Sequence, residues 1–227
     1  MGIYIQITDR CNMKCAHCGF DCKLEGTDMS PANFKAALAL AKEHESTITI
    51  GGGEPTLHPN LKEFMMESIW ELTEVGHELG MTPIHIVTNG SIEDKTLSLA
   101  RLASTGTIGA ALSQDQYHDS SMVSERVRRA FPGHKERVSD TDYRSINKLY
   151  RVRAAGRAKE WVEDDHSCFC PDVFVDPHGN VYPCGCKQGK IGHVQDGLIL
   201  PYGIMSGYCY VNEHEEWKAE IEEEVQA

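Results

Sequence analysis

Three cysteines fall within eight residues in the stretch CNMKCAHC, at Cys11, Cys15 and Cys18. Four more gather far along the chain at Cys168, Cys170, Cys184 and Cys186, with Cys22 beside the first group and Cys209 alone. In a reducing compartment, thiols clustered this way are metal ligands or catalytic groups more often than disulfides. A cube of four irons and four sulfides needs four outside ligands, so three protein thiolates leave one iron open to a small molecule. Spacing alone also admits a zinc knuckle, and a second register through Cys15, Cys18 and Cys22. Further on, GGGEP sets Gly52 and Gly53, whose bare backbone lets a ligand approach closely, before the carboxylate of Glu54.

Such residues need a frame, and the chain alternates strands with helices. IYIQIT (3–8) alternates isoleucines with other residues and reads as a strand, and TITI (47–50), IHIV (84–87) and TIGAALS (107–113) read likewise. Ser30-Pro31 is a helix start, with a cap followed by proline. Apolar residues at helical spacing predict a helix over 61–79. Ser91 with Asp94 resembles a capping box for a helix over 92–103, and a further helix over 121–131 halts at Pro132. This order predicts an α/β fold, a parallel sheet with crossover helices. The cysteines follow the first strand, GGGEP the second, Asn89 the third, and Ser113 with Asp115 the fourth. Carboxyl ends of parallel strands are where such folds bind ligands. Beyond residue 133 the periodicity is poor, until VFVD-PHGN-VY within 172–182 reads as a β-hairpin flanked by the second cysteine group.

C-x3-C-x2-C after the first strand and GGEP after the second resemble the radical S-adenosylmethionine (SAM) superfamily, over roughly the first 115 residues. The resemblance implies a partial (β/α) TIM-like barrel with a [4Fe–4S] cluster on Cys11, Cys15 and Cys18. It implies reductive cleavage of SAM at the open iron, by an electron from an external reductant such as flavodoxin or ferredoxin. The resulting 5′-deoxyadenosyl radical would abstract hydrogen from substrate. SAM would contact Gly52, Gly53 and Glu54, the glycines by backbone and the glutamate through the methionine ammonium. His17 stands where the family usually has an aromatic against adenine. Ser113 and Asp115 match ribose-binding positions, and Asn89 is a further candidate on the same face. No catalytic acid or base is singled out; Tyr117 and His118 read as packing and capping residues.

Cys168-x10-Gly179-x4-Cys184 resembles the opening of Twitch and SPASM modules, which hold auxiliary iron–sulfur clusters. Cys168 or Cys170 would face Cys184 or Cys186, the fourth ligand being Cys170, Cys186 or Cys209, with zinc as the alternative metal. GRA (156–158) resembles the segment leading into such modules, so the expected division is a barrel over 1–160, an auxiliary module over 161–212 and an acidic helix over 213–227.

Of the 227 residues, 41% are hydrophobic and 25% charged, ordinary for a soluble protein. No membrane span or secretion signal is evident, which makes the cytoplasm the expected compartment. The net charge of −12 argues against a surface that coats nucleic acid. Within it, residues 126–159 hold eleven Lys or Arg against three acids. An arginine-rich wall on the cavity would suit an anionic substrate: a nucleotide, a nucleic-acid base or a phosphorylated metabolite. The first strand begins near the N-terminus, so no preceding peptide-binding domain is expected. A peptide-modifying maturase is nevertheless the alternative, and a non-catalytic zinc or iron–sulfur module the alternative of another class.

Overall fold

The computed structural model describes residues 2–132, 141–148, 152, 154–162, 172–187, 189–198 and 200. Cys168, Cys170, Cys209 and the expected helix 213–227 lie outside them. Among these residues, eight strands form one sheet in the order β5-β4-β3-β2-β1-β6-β7-β8. They are β1 (Gly2–Thr8), β2 (Thr47–Gly52), β3 (Ile84–Thr88), β4 (Gly109–Ser113), β5 (Arg144–Asn147), β6 (Asp172–Val175), β7 (Asn180–Tyr182) and β8 (Gly192–His193). Strands β5 through β6 in that order are parallel, and β7 and β8 are antiparallel additions. Helices α1 (Pro31–Glu43), α2 (Leu61–Glu78) and α3 (Glu93–Ser104) each connect one parallel strand to the next, and α4 (Glu125–Ala130) lies between β4 and β5. This is the α/β fold, a parallel sheet with crossover helices, that the alternation predicts.

Strand register explains the core. Ile3 pairs with Ile48 and Ile48 with Ile84, while Ile5, Ile50 and Ile86 form the next row, so isoleucines align across three strands on one face. Val173 and Val175 of β6 extend both rows. All six isoleucines are buried, each worth about 1.5–3 kcal/mol relative to exposure. Helices α1 and α2 contribute the stacked Phe34 and Phe64 rings, 3.9 Å apart, to the same cluster. The intervening residues Tyr4, Gln6 and Thr8 point to the other face.

Helix starts separate sequence from context. Ser30 caps α1 by accepting from the Asn33 N–H, with Pro31 at the first position. The capping box at Ser91 does not form: α3 starts after Ile92 without a side-chain cap, and the Ser91 hydroxyl bonds Asn12 in the cysteine loop. The helix over 121–131 is shorter than expected, because Asp119 caps a separate 3-10 turn at 120–122 and Ser124 then caps α4.

The hairpin is also placed differently. Rather than standing apart, β6 pairs in parallel with β1, so the division near residue 160 cuts through a continuous sheet.

Candidate active site at the carboxyl ends of the strands

The cysteine loop leaves β1 and is closed at its base by Cys11 N–H to Lys23 O, 2.7 Å, and Lys23 N–H to Asp9 O, 3.1 Å. The glycine run locks onto the same exit: Gly53 N–H donates to Thr8 O at 2.7 Å and Glu54 N–H to Arg10 O at 2.8 Å. A Cβ on Gly51, Gly52 or Gly53 would collide with Tyr4 Oη, Thr8 O and Arg10 O respectively. Gly51, which the motif does not require, is therefore fixed by the Tyr4 hydroxyl, which also accepts from Gly52 N–H at 3.1 Å.

Above this junction lies a cavity of about 290 Å³. The loop lends it Cys11, Cys15, His17, Cys18 and Cys22, and β2 lends Gly52 and Gly53. Asn89 comes from the end of β3, Ser113 from the end of β4, Asp115 and His118 from the loop after it, and Asn147 from β5. Every residue expected there on the first four strand ends lines the cavity except one.

That exception is Glu54. It is fully buried, and its carboxylate accepts four hydrogen bonds: Thr56 N–H, Thr56 Oγ and Thr88 Oγ on Oε1, and Asn89 N–H on Oε2. It ties the glycine run to the end of β3 instead of facing the cavity. Burial holds its carboxyl above the usual carboxylate range, against the pull of these hydrogen bonds. A folded pKa above the unfolded one means the folded chain keeps this proton longer. Stability from this group therefore declines as pH rises from the ordinary carboxylate range through the raised value. In Glu54→Gln the amide NH2 must oppose at least one donor, so a loss of about 2 kcal/mol is expected. Denaturant unfolding at several pH values checks both the loss and the disappearance of that slope.

The sulfurs differ in environment. Cys11 accepts from Met13 N–H at 3.4 Å and from the Asn89 amide at 3.8 Å, and burial pushes its thiol up. Cys15 is pushed up to about 11, by burial first and then by its anionic neighbours. Cys18 is lowered to about 6, chiefly by a hydrogen bond from Cys22, whose backbone N–H also lies 3.4 Å from the Cys18 sulfur. Cys22 is buried, receives the Gln6 amide at 3.6 Å, and is pushed far up in turn. Donors aimed at sulfur are what anionic cluster-ligating thiolates require, so this donor set fits an iron–sulfur cluster on the loop.

Asp115 accepts from Tyr117 N–H at 2.9 Å and from His118 Nδ1 at 2.8 Å, both on Oδ1. Burial works to raise its pKa, but these bonds and the neighbouring histidines outweigh it and leave the carboxyl below its usual range. Among the described residues, Oδ2 remains for a ligand hydroxyl. His17 sits 4.9 Å from both the Tyr117 and His118 rings, with burial lowering its pKa.

Local sequence gives no sign of what Arg157 does. Its guanidinium donates to Cys15 O at 2.7 Å and Cys22 O at 2.8 Å and pairs with Asp21 at 3.2 Å, while its own N–H reaches Cys18 O at 3.0 Å. The other described arginines of the basic band do not form a cavity wall. Arg126 pairs with Glu93, Arg128 and Arg129 with Glu125, and Arg144 with Asp142. Among the described residues no Lys or Arg lines the cavity. Of the second cysteine group, Cys184 is buried and Cys186 half-buried, and Gly185 between them packs on Phe20 of the first loop.

Three cysteines and a glycine run thus line one cavity at the carboxyl ends of the parallel strands. The radical SAM superfamily profile matches residues 5–141, and the chain belongs to this superfamily of enzymes, which implies SAM and a [4Fe–4S] cluster. The chain is 28% identical over 164 residues to the S-adenosylmethionine-dependent nucleotide dehydratase of Thermoplasmatales archaeon (strain ISO4-H5), a match covering 70% of this chain and 54% of that protein. It is 28% identical over 142 residues to the PqqA peptide cyclase of Rhodopseudomonas palustris (strain ATCC BAA-98 / CGA009), covering 61% and 34%. The chain thus spans about half or less of these relatives' lengths. Among solved structures, BtrN in complex with AdoMet and 2-DOIA superposes with TM-score 0.58 at 16% identity, covering 97% of this chain and 85% of that one. Native anSMEcpe with bound AdoMet superposes with TM-score 0.55 at 16% identity, covering 96% and 86%. These likenesses establish the fold. No helix among the described residues is long and apolar enough to cross a membrane.

Proposed function

We propose that Cys11, Cys15 and Cys18 hold the [4Fe–4S] cluster and that the cavity beside them takes SAM. The convergence of these thiols with Gly52, Gly53, Asn89, Ser113 and Asp115 on one cavity carries the reading. When bound, the cluster supplies the one-electron reduction that breaks a carbon–sulfur bond of SAM, the start of hydrogen abstraction from substrate. Bare backbone at Gly52 and Gly53 admits the methionine end, and Glu54 acts by holding that backbone in place. Asp115 Oδ2 and the Ser113 hydroxyl accept ribose hydroxyls, and His17 lies against adenine. The low pKa of Asp115 keeps it an acceptor throughout the neutral range.

The substrate proposed is a nucleotide or related anionic metabolite, supported by the dehydratase relative that aligns with most of this chain. The paired arginines lend it no support. The peptide cyclase relative favours a second reading, a peptide substrate. An auxiliary iron–sulfur cluster on Cys168, Cys170, Cys184 and Cys186 is part of the proposal. The Phe20–Phe174 contact at 5.0 Å joins its hairpin to the first loop, and the Tyr4–Phe174 stack at 5.4 Å joins it to β1.

Anaerobic reconstitution followed by chemical reduction with SAM tests the scheme. Release of 5′-deoxyadenosine and about eight irons per chain are expected; about four irons plus zinc would place zinc at the second group. Nucleoside phosphates should raise the yield and pass deuterium from labelled substrate into 5′-deoxyadenosine. A rise with peptides alone would move the substrate to the second reading. Absence of 5′-deoxyadenosine under every condition would remove the catalytic one.

A further inference from the structure

We propose that the cluster-free chain carries a mononuclear metal site of the zinc type, formed by Cys15, His17 and His118 with Asp115 behind them. The sulfur of Cys15 and one ring nitrogen from each histidine lie within 4.8 Å of one another. A tetrahedral zinc bonds sulfur at about 2.3 Å and nitrogen at about 2.0–2.1 Å, so a small closure brings all three into range. The fourth position opens on the cavity, to water.

Three features separate this trio from a chance grouping. His118 is held by its Nδ1 bond to Asp115, whose side chain is only 5% exposed. That fixes the ring and leaves Nε2 as the free lone pair, the carboxylate–histidine–metal arrangement of built sites. His17 Nδ1 is enclosed and lacks a hydrogen-bond partner, an arrangement that costs stability unless something binds it. Cys15 also differs from its neighbours: Cys11 and Cys18 receive hydrogen bonds on sulfur, whereas among the described residues the Cys15 sulfur receives none. One thiolate and two neutral imidazoles suit zinc and exclude magnesium or calcium, which take oxygen ligands. Binding forms one metal–sulfur and two metal–nitrogen bonds and releases the Cys15 proton to solvent.

This site rests on the proposed function only in its consequence. If Cys15 is a cluster ligand, zinc and cluster compete for it, and the zinc-loaded chain is a resting form that assembles a cluster only after zinc leaves.

Cadmium-113 NMR of the full chain, stripped of metal under reducing conditions, resolves each site separately. A resonance in the range of one sulfur and two nitrogens is expected, apart from any many-thiolate signal of the second cysteine group. It should vanish in Cys15→Ser and His118→Ala and persist in Cys22→Ser. Asp115→Asn should weaken zinc binding about 10-fold, measured against a competing chelator dye. Only many-thiolate resonances, or a one-sulfur signal that survives both His17→Ala and His118→Ala, would overturn the site. The spectrum of the unchanged chain decides the matter even where a variant folds poorly, and none of these readouts requires SAM cleavage. A chain that binds cadmium here but never yields 5′-deoxyadenosine would keep this inference and lose the catalytic one. Slower iron uptake after zinc loading is the expected sign of competition, and unchanged uptake would separate the two occupancies.

Discussion

Alanine at Cys11, Cys15 or Cys18 is expected to remove about four irons per chain and to reduce release of 5′-deoxyadenosine to background, while Cys22→Ala weakens cluster retention without abolishing either. All four sulfurs line one cavity, so position alone does not choose three of them. Hydrogen bonding does. Cys22 is buried, takes the Gln6 amide on its sulfur and spends its own proton on Cys18. It acts as a donor to a proposed ligand, a role that a metal bond would abolish. Removing that donor should let the Cys18 thiol rise from its lowered value of about 6 toward the ordinary range. The cost expected of Cys22→Ala is therefore about 10-fold in cluster retention, typical of outer partners. Iron analysis beside the cluster's visible absorption measures it. Loss of all iron in Cys22→Ala with retention in Cys11→Ala would shift the ligand set to the 15, 18 and 22 register.

The first half of the fold was legible because its first three strands bury β-branched rows and each long helix an apolar stripe. Ile3, Ile48 and Ile84 could be read as strand residues before their alignment was known. β5 could not. RSIN is a half-exposed edge strand with one apolar residue, held by register with Ala110 to Ser113 instead of by a pattern of its own. The hairpin at 172–182 could be read locally, but its parallel pairing with β1 is a contact across the chain that no local signal encodes. Charge misled for the same reason. A band of eleven cations reads as a wall until Arg126, Arg128, Arg129 and Arg144 are seen to pair with Glu93, Glu125 and Asp142. Motif spacing placed Gly52, Gly53, Ser113 and Asp115 on the cavity. It could not show that Glu54 turns inward, since that depends on Thr88 and Asn89 more than thirty residues away.

Arg157→Ala is expected to weaken cluster retention and SAM cleavage by about 10- to 100-fold, the range found when an outer partner of a metal ligand is lost. The side chain joins a segment more than 130 residues downstream to both halves of the cysteine loop. Without it the carbonyls of Cys15 and Cys22 lose charge-assisted donors and Asp21 keeps only its ion pair with Lys23. Arg157→Lys should rescue only in part, because an ammonium carries the charge but cannot fork to two carbonyls in fixed geometry. Gly156→Ala should resemble Arg157→Ala without touching a charge. Gly156 holds φ at +52°, and a Cβ there would stand 2.5 Å from Cys18 O. Comparing these variants separates electrostatics from shape. The positive charge beside Cys15 and Cys18 would favour the reduced, more negative state of a cluster held there, so its removal should lower the reduction potential. Gly156→Ala should instead loosen iron binding at nearly constant potential. Redox titration followed by electron paramagnetic resonance reads the potential directly. An unchanged potential and unchanged iron content in Arg157→Ala would mean that the base of the loop, closed by Cys11 and Lys23, suffices to hold the thiolates in place.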